Sequence, residues 1–232
     1  MINGIKVEVC CGSIIDCQRA LSFPIDRIEL NSALELGGLT PSISTLRKVS
    51  KLSLVPICCM VRNRGGNFVY NDEEFDLMLQ DGKLLLDNGA DGLVFGCLNV
   101  DSSINVKQTR GLVELCKEYG KQAIFHKAFD QTDMLESIKV LIGLGIDRVL
   151  TSGGENYPDI LKGKDILKKL NETYADKIEI LPGGGVRKEN VVSLLKQTKI
   201  TQVHMSASTI KDGFQQLDKD KLQGILEAIS KY

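Results

Sequence analysis

The stretch Gly145-Ile146-Asp147-Arg148-Val149-Leu150-Thr151-Ser152-Gly153-Gly154 holds the fold in miniature. A glycine stops a helix, an aspartate opens a β-branched and apolar run, and a Ser/Gly-rich turn follows. The same order recurs where Gly89-Ala90-Asp91 leads into GLVFG (Gly92–Gly96). Working outward, comparable runs start near Lys6, Asp26, Leu54, Asp91, Gln122, Asp147, Lys177 and Thr201. That makes eight, and 232 residues give 29 per unit, the length of one βα repeat.

The segments between the runs read as helices. Thr40-Pro41 supplies an N-cap followed by proline for a helix over Ser44–Lys51. Asn71 with Glu74 three residues on forms a capping box, and Phe75, Leu79 and Gly82 continue one face. Over Val106–Tyr119, Leu112, Leu115 and Cys116 share one stripe. Strict alternation implies parallel strands with right-handed crossovers. Eight units predict a (β/α)8 TIM barrel, one domain over residues 1–232, with an open doubly wound sheet as the alternative. No linker, repeat of low complexity or block of like charge divides the chain.

Composition narrows the function. With 29 Lys+Arg against 30 Asp+Glu, the net charge of −1 gives no electrostatic case for nucleic acid or an anionic membrane. No apolar stretch approaches the roughly 18 residues that span a bilayer. MINGIKVEVC lacks a basic region followed by an apolar run, so no signal peptide is expected. Seven cysteines, with Cys10/Cys11 and Cys58/Cys59 adjacent, read as thiols in a reducing cytoplasm rather than as a disulfide framework.

In such a barrel the chemistry lies at the C-terminal strand ends. By alternation Glu8 and Cys10 share a face, as do Arg27, Glu29 and Asn31, and Cys58, Met60 and Arg62. Buried carboxylates beside a guanidinium read either as an ion-pair network that fixes register or as the polar floor of a pocket. On the second reading Glu8, Glu29, His126 and Asp130 are the acid/base candidates. Gly183, Gly184 and Gly185 of the PGGG loop allow backbone N–H groups to approach an anion such as phosphate. Ser152, Gly153, His204 and Ser206 add donors, and Arg62 and Arg64 enlarge an anion-friendly mouth. Cys10, Cys58 and Met60 would give a soft, sulfur-rich Cu(I) site if they met, although no CxxC spacing supports one.

Taken together, the segments resemble the CutC family of copper homeostasis proteins. The matching pieces are EVC (Glu8–Cys10), DRIEL (Asp26–Leu30), LGGLTPS (Leu36–Ser42) and MVRNRGGNFVYNDEEF (Met60–Phe75). ADGLVFG (Ala90–Gly96), FHKAFD (Phe125–Asp130), DRVLTSGG (Asp147–Gly154), PGGGV (Pro182–Val186) and HMSAS (His204–Ser208) complete the series. The resemblance implies a cytoplasmic TIM barrel, a homo-oligomer, that binds Cu(I) and acts in copper control. It places one metal thiol at Cys10. The family's second cysteine, in an ELC motif, is Asn31 here, so a second thiolate would have to come from Cys11, Cys58 or Cys59. Lys127 stands where the family usually has Arg. Two readings follow: a copper-binding protein, or an enzyme acting on a small phosphorylated or anionic metabolite held after strands 7 and 8.

Overall fold

A computed structural model describes residues 1–154, 159–211 and 213–232. Eight parallel strands form the barrel: β1 (Lys6–Cys11), β2 (Arg27–Leu30), β3 (Ile57–Met60), β4 (Gly92–Phe95), β5 (Gln122–Phe125), β6 (Arg148–Thr151), β7 (Glu179–Pro182) and β8 (Gln202–Met205). Neighbouring strands pair in chain order, and β1 pairs with both β2 and β8. The seam between β7 and β8 is closed by a parallel bridge between Gly183 and His204 and by Gln202 Nε2 donating to the Ile180 carbonyl at 3.1 Å. Eight helices follow the strands: α1 (Ile14–Ala20), α2 (Ile43–Ser50), α3 (Asp72–Asp87), α4 (Val106–Glu118), α5 (Met134–Leu144), α6 (Lys164–Tyr174), α7 (Val191–Thr198) and α8 (Lys219–Ser230).

Several sequence signals act as expected. Asn71 and Glu74 make the reciprocal capping box of α3. Gly89 and Gly145 have φ of +100° and +85°, the left-handed conformation that ends a helix. The aspartates that open strands close the barrel's N-terminal end. Asp26, Asp91 and Asp147 each accept an N–H from the preceding strand, from Val7, Ile57 and Ala123 at 2.8, 3.1 and 2.8 Å. Thr40 behaves differently: Ser42 caps α2, while the Thr40 hydroxyl bonds the backbone of Arg62. A short hairpin, β9 (Ser208–Lys211) with β10 (Phe214–Leu217), intervenes before α8 and was not foreseen.

Alternation divides the buried residues. Val7, Val9, Ile28, Leu30, Cys59, Leu93, Phe95, Phe125 and Val149 face the helices in one large core. Inside the barrel, Cys58, Met60, Val94 and Ile124 fill the β3–β5 side with a separate apolar cluster. The other side is ionic. Arg27 Nε donates to Glu8 Oε2 at 2.8 Å, and Arg27 Nη2 to Gln202 Oε1 at 2.8 Å. Arg148 donates to Glu179 at 2.7 Å and Gln122 at 2.9 Å, and lies 3.7 Å from Glu8. His204 Nδ1 bonds Glu8 Oε1 at 2.8 Å. The network joins β1, β2, β5, β6, β7 and β8. Glu8 and Arg27 therefore belong to an ion-pair network that fixes register.

Removing one partner from a buried ion pair leaves an uncompensated charge and costs about 3–5 kcal/mol. Glu8→Gln should lower the unfolding free energy by about that amount in urea titrations. A loss below about 1 kcal/mol, the range of exposed pairs, would show that Arg27 and Arg148 are neutralised by other groups.

Candidate functional site

At the C-terminal mouth, β1, β2 and β8 bring three metal-ligating groups together. Cys10 lies opposite Glu29 in the β1–β2 register, and His204 lies opposite Glu8 in the β1–β8 register. One donor atom from each of Cys10, Glu29 and His204 lies within 4.8 Å of the others. Glu29 and His204 are buried, and Cys10, half-buried, is the one cysteine with partial exposure. Asn31 completes the group: its Nδ2 donates to Glu29 Oε2 at 2.8 Å and to Cys10 Sγ at 3.4 Å. Cys11 and Cys59 point to the helices, and Cys58 and Met60 pack in the apolar half of the lumen. No second thiol joins Cys10.

Burial, with the Glu29 charge added, pushes the Cys10 thiol well above its ordinary range. Burial alone would discharge His204, but Glu29 and Glu8 on either side outweigh it and raise its pKa. Burial likewise works against the Glu8 carboxylate, yet His204, Arg27 and Arg148 hold it down to about 2.

Above this group opens a cavity of about 620 Å³. Cys10 and His204 reach its floor, with Gly184, Gly185, Lys127 and Ser206 beside them. Gly183 sits at the strand bridge, where an added Cβ would lie 3.0 Å from His204. The cavity also takes in Lys127, expected only as the residue that stands where the family usually has Arg, and the loop beyond PGGG through Glu189, which carries no motif of its own.

The other candidates do not line this cavity and are engaged by the protein's own groups. Arg62 is buried, donates to the carbonyls of Leu36 (3.0 Å), Gly38 (3.3 Å) and Gly66 (2.8 Å), and stacks on Phe68. Arg64 is bound to Glu74 at 2.5 Å and to the carbonyl of Val69 at 2.7 Å. Both organise the β3–α3 loop. Asp130 accepts from the Thr151 hydroxyl and from Ser152 through N and Oγ, the latter at 2.6 Å, fixing the end of β6. The Gly153 N–H turns back to Thr151 Oγ1 at 3.0 Å. His126 is buried against Phe68, fits only because residue 96 is glycine, and accepts the Ala128 N–H on Nδ1 at 3.0 Å. Burial first, and then the Arg62 charge, push its pKa down to about 3.

With two histidines in the chain, an imidazole NMR titration reads each one. His126 should stay neutral down to about 3, while His204 should hold its proton above 6.5. A depressed histidine binds fewer protons in the folded state, so His126 contributes stability above 6.5 that is lost as pH falls towards 3. Normal titration of His126 near 6.5 in the folded protein would contradict its burial.

No helix among the described residues is long and apolar enough to cross a membrane. The CutC family model matches residues 5–209. "Family protein CutC" of Treponema denticola is 43% identical over 207 residues, covering 89% of this chain and 82% of that protein. The human copper homeostasis protein cutC homolog is 37% identical over 211 residues, covering 90% of this chain and 76% of its own length. A crystal structure of CutC from Streptococcus agalactiae superposes with a TM-score of 0.81 at 32% identity, covering 87% of this chain and 98% of that one. A match of this extent in both sequence and fold decides the relationship: the chain belongs to the CutC family.

Proposed function

We propose that this protein binds copper ions at Cys10, Glu29 and His204 and acts in copper homeostasis, with copper as its cargo. The observation that carries the reading is the convergence of thiol, carboxylate and imidazole within 4.8 Å. Two donors sharing one ion, each about 2.0–2.3 Å from it, lie no more than about 4.6 Å apart. A few tenths of an ångström of side-chain movement therefore brings the three onto one ion. The names of the human and Drosophila melanogaster relatives, copper homeostasis protein cutC homologs, favour copper among the metals that such a site accepts.

Cu(I) is soft and prefers sulfur. Cys10 supplies the one thiolate, His204 an imidazole nitrogen, and Glu29 a neighbouring negative charge. Asn31, bonded to both Cys10 and Glu29, orients the two ligands as an outer partner. The Glu8 bond to Nδ1 leaves Nε2 of His204 facing Glu29, 3.9 Å away.

Anaerobic titration against a chromogenic Cu(I) chelator tests the site. Cys10→Ser should remove it, and Asn31→Ala should weaken it by about 10–100-fold, as loss of an outer-shell partner does. Asn31→Cys restores a second thiolate and should bind Cu(I) more tightly than wild type. Equal, weak binding by wild type and Cys10→Ser would overturn the reading.

A further inference from the structure

The cavity over Cys10 carries a second set of groups that copper does not use. Among the described residues, the backbone N–H groups of Gly184, Gly185, Val186, Ser206 and Ala207 donate to no protein acceptor. Val186 and Ala207 are only 7% and 9% exposed. Buried N–H groups without an acceptor are rare in folded proteins, because each one costs as much as a lost hydrogen bond. Here two such buried groups, of Val186 and Ala207, and three half-buried ones border one cavity, supplied by the loop after β7 and the end of β8, which the bridge between Gly183 and His204 holds side by side.

Local charge agrees with the donors. Lys127, Arg187, Lys188 and Lys221 line the cavity against two acidic residues, Glu189 and Asp220, in a chain whose net charge is −1. Lys127 is the innermost of them. A Cβ on Gly184 would come within 2.9 Å of its Nζ, so the ammonium rests against bare backbone. Gly184 has φ of +104°, which also favours glycine there. The ammonium lies 3.8 Å from Asp130, whose oxygens already accept from Thr151 and Ser152. Its charge is therefore only loosely paired.

Unpartnered amides, a loosely paired ammonium and a serine hydroxyl match the three acceptor oxygens and double charge of a phosphate monoester. We propose that this cavity binds the phosphate group of a phosphorylated small molecule, between the Gly184–Val186 backbone, Ser206 and Lys127. The volume of about 620 Å³ holds a whole small molecule. Its remaining part lies over Cys10 and His204, the cavity floor. The site stands independently of copper, since none of these phosphate-binding groups is among the metal donors.

Calorimetry on the full chain with inorganic phosphate, glycerophosphate and glycerol tests it. Glycerophosphate should bind and glycerol should not, with inorganic phosphate competing. Lys127→Met should weaken glycerophosphate by about tenfold or more, the effect of losing a charged hydrogen bond. Ser206→Ala gives the same direction with less disturbance, should the lysine variant fold poorly. Asn31→Ala, at a residue outside the cavity lining, should keep its affinity for glycerophosphate whether or not it weakens copper binding, so the two readings fail separately. Glycerophosphate binding no tighter than glycerol, or equal affinity in wild type and both variants, would overturn the proposal.

Discussion

The carboxylate of Glu8, sealed inside the barrel, is the group around which the other strands are set. An unpaired carboxylate there would cost several kcal/mol of lost hydration. Arg27 and His204 bond its two oxygens and Arg148 stands 3.7 Å away, so β2 and β6 each send a guanidinium, and β8 an imidazole, to one point on β1. A slip of one residue in β2 would turn Arg27 out among the helices and Ile28 into the lumen. Register is thus set by charge on this side of the barrel and by packing on the other, where Cys58, Met60, Val94 and Ile124 meet.

That division of the lumen decides where chemistry can occur. Over the apolar half, the loops fold onto themselves, with Arg62 and Arg64 spent on backbone carbonyls and Glu74. Over the ionic half, the lining continues up to the mouth. Glu29 is the carboxylate in that lining without a guanidinium: among the described residues it accepts from Asn31 and faces His204. A buried carboxylate satisfied by an amide retains lone pairs for a cation. The thiol and imidazole beside it are the two further donors that the proposed copper site uses.

Much of this was legible in the sequence, and for physical reasons. Strand–turn–helix alternation, helix-ending glycines and strand-opening aspartates are local signals, and the barrel follows from their count. Alternation also placed Glu8 with Cys10, and Arg27 with Glu29, on shared faces, and His204 stood at a strand end. Satisfaction was not legible. Arg62 at a strand end looks the same whether its partner is a ligand or the carbonyls of Leu36 and Gly38, more than 20 residues earlier in the chain. Lys127 reaches the mouth because the chain enters a 3₁₀ turn over Lys127–Gln131, where strand alternation no longer applies. The hairpin after β8 had its signal in Asp212-Gly213 between alternating residues, but an eight-unit period left no place to look for it.

Asn31 shows how one residue can retune a site without dismantling it. A cysteine at this position would offer a second soft donor beside Cys10. The amide instead donates to both Cys10 and Glu29, holding thiol and carboxylate together while contributing no thiolate. Softness falls from two sulfurs to one, and nitrogen and oxygen donors gain weight, which narrows the preference for Cu(I) over harder divalent ions. The change also lowers the negative charge a bound ion must balance. A site of lower charge suits an ion that is held and then released, as the proposed role with copper as cargo requires.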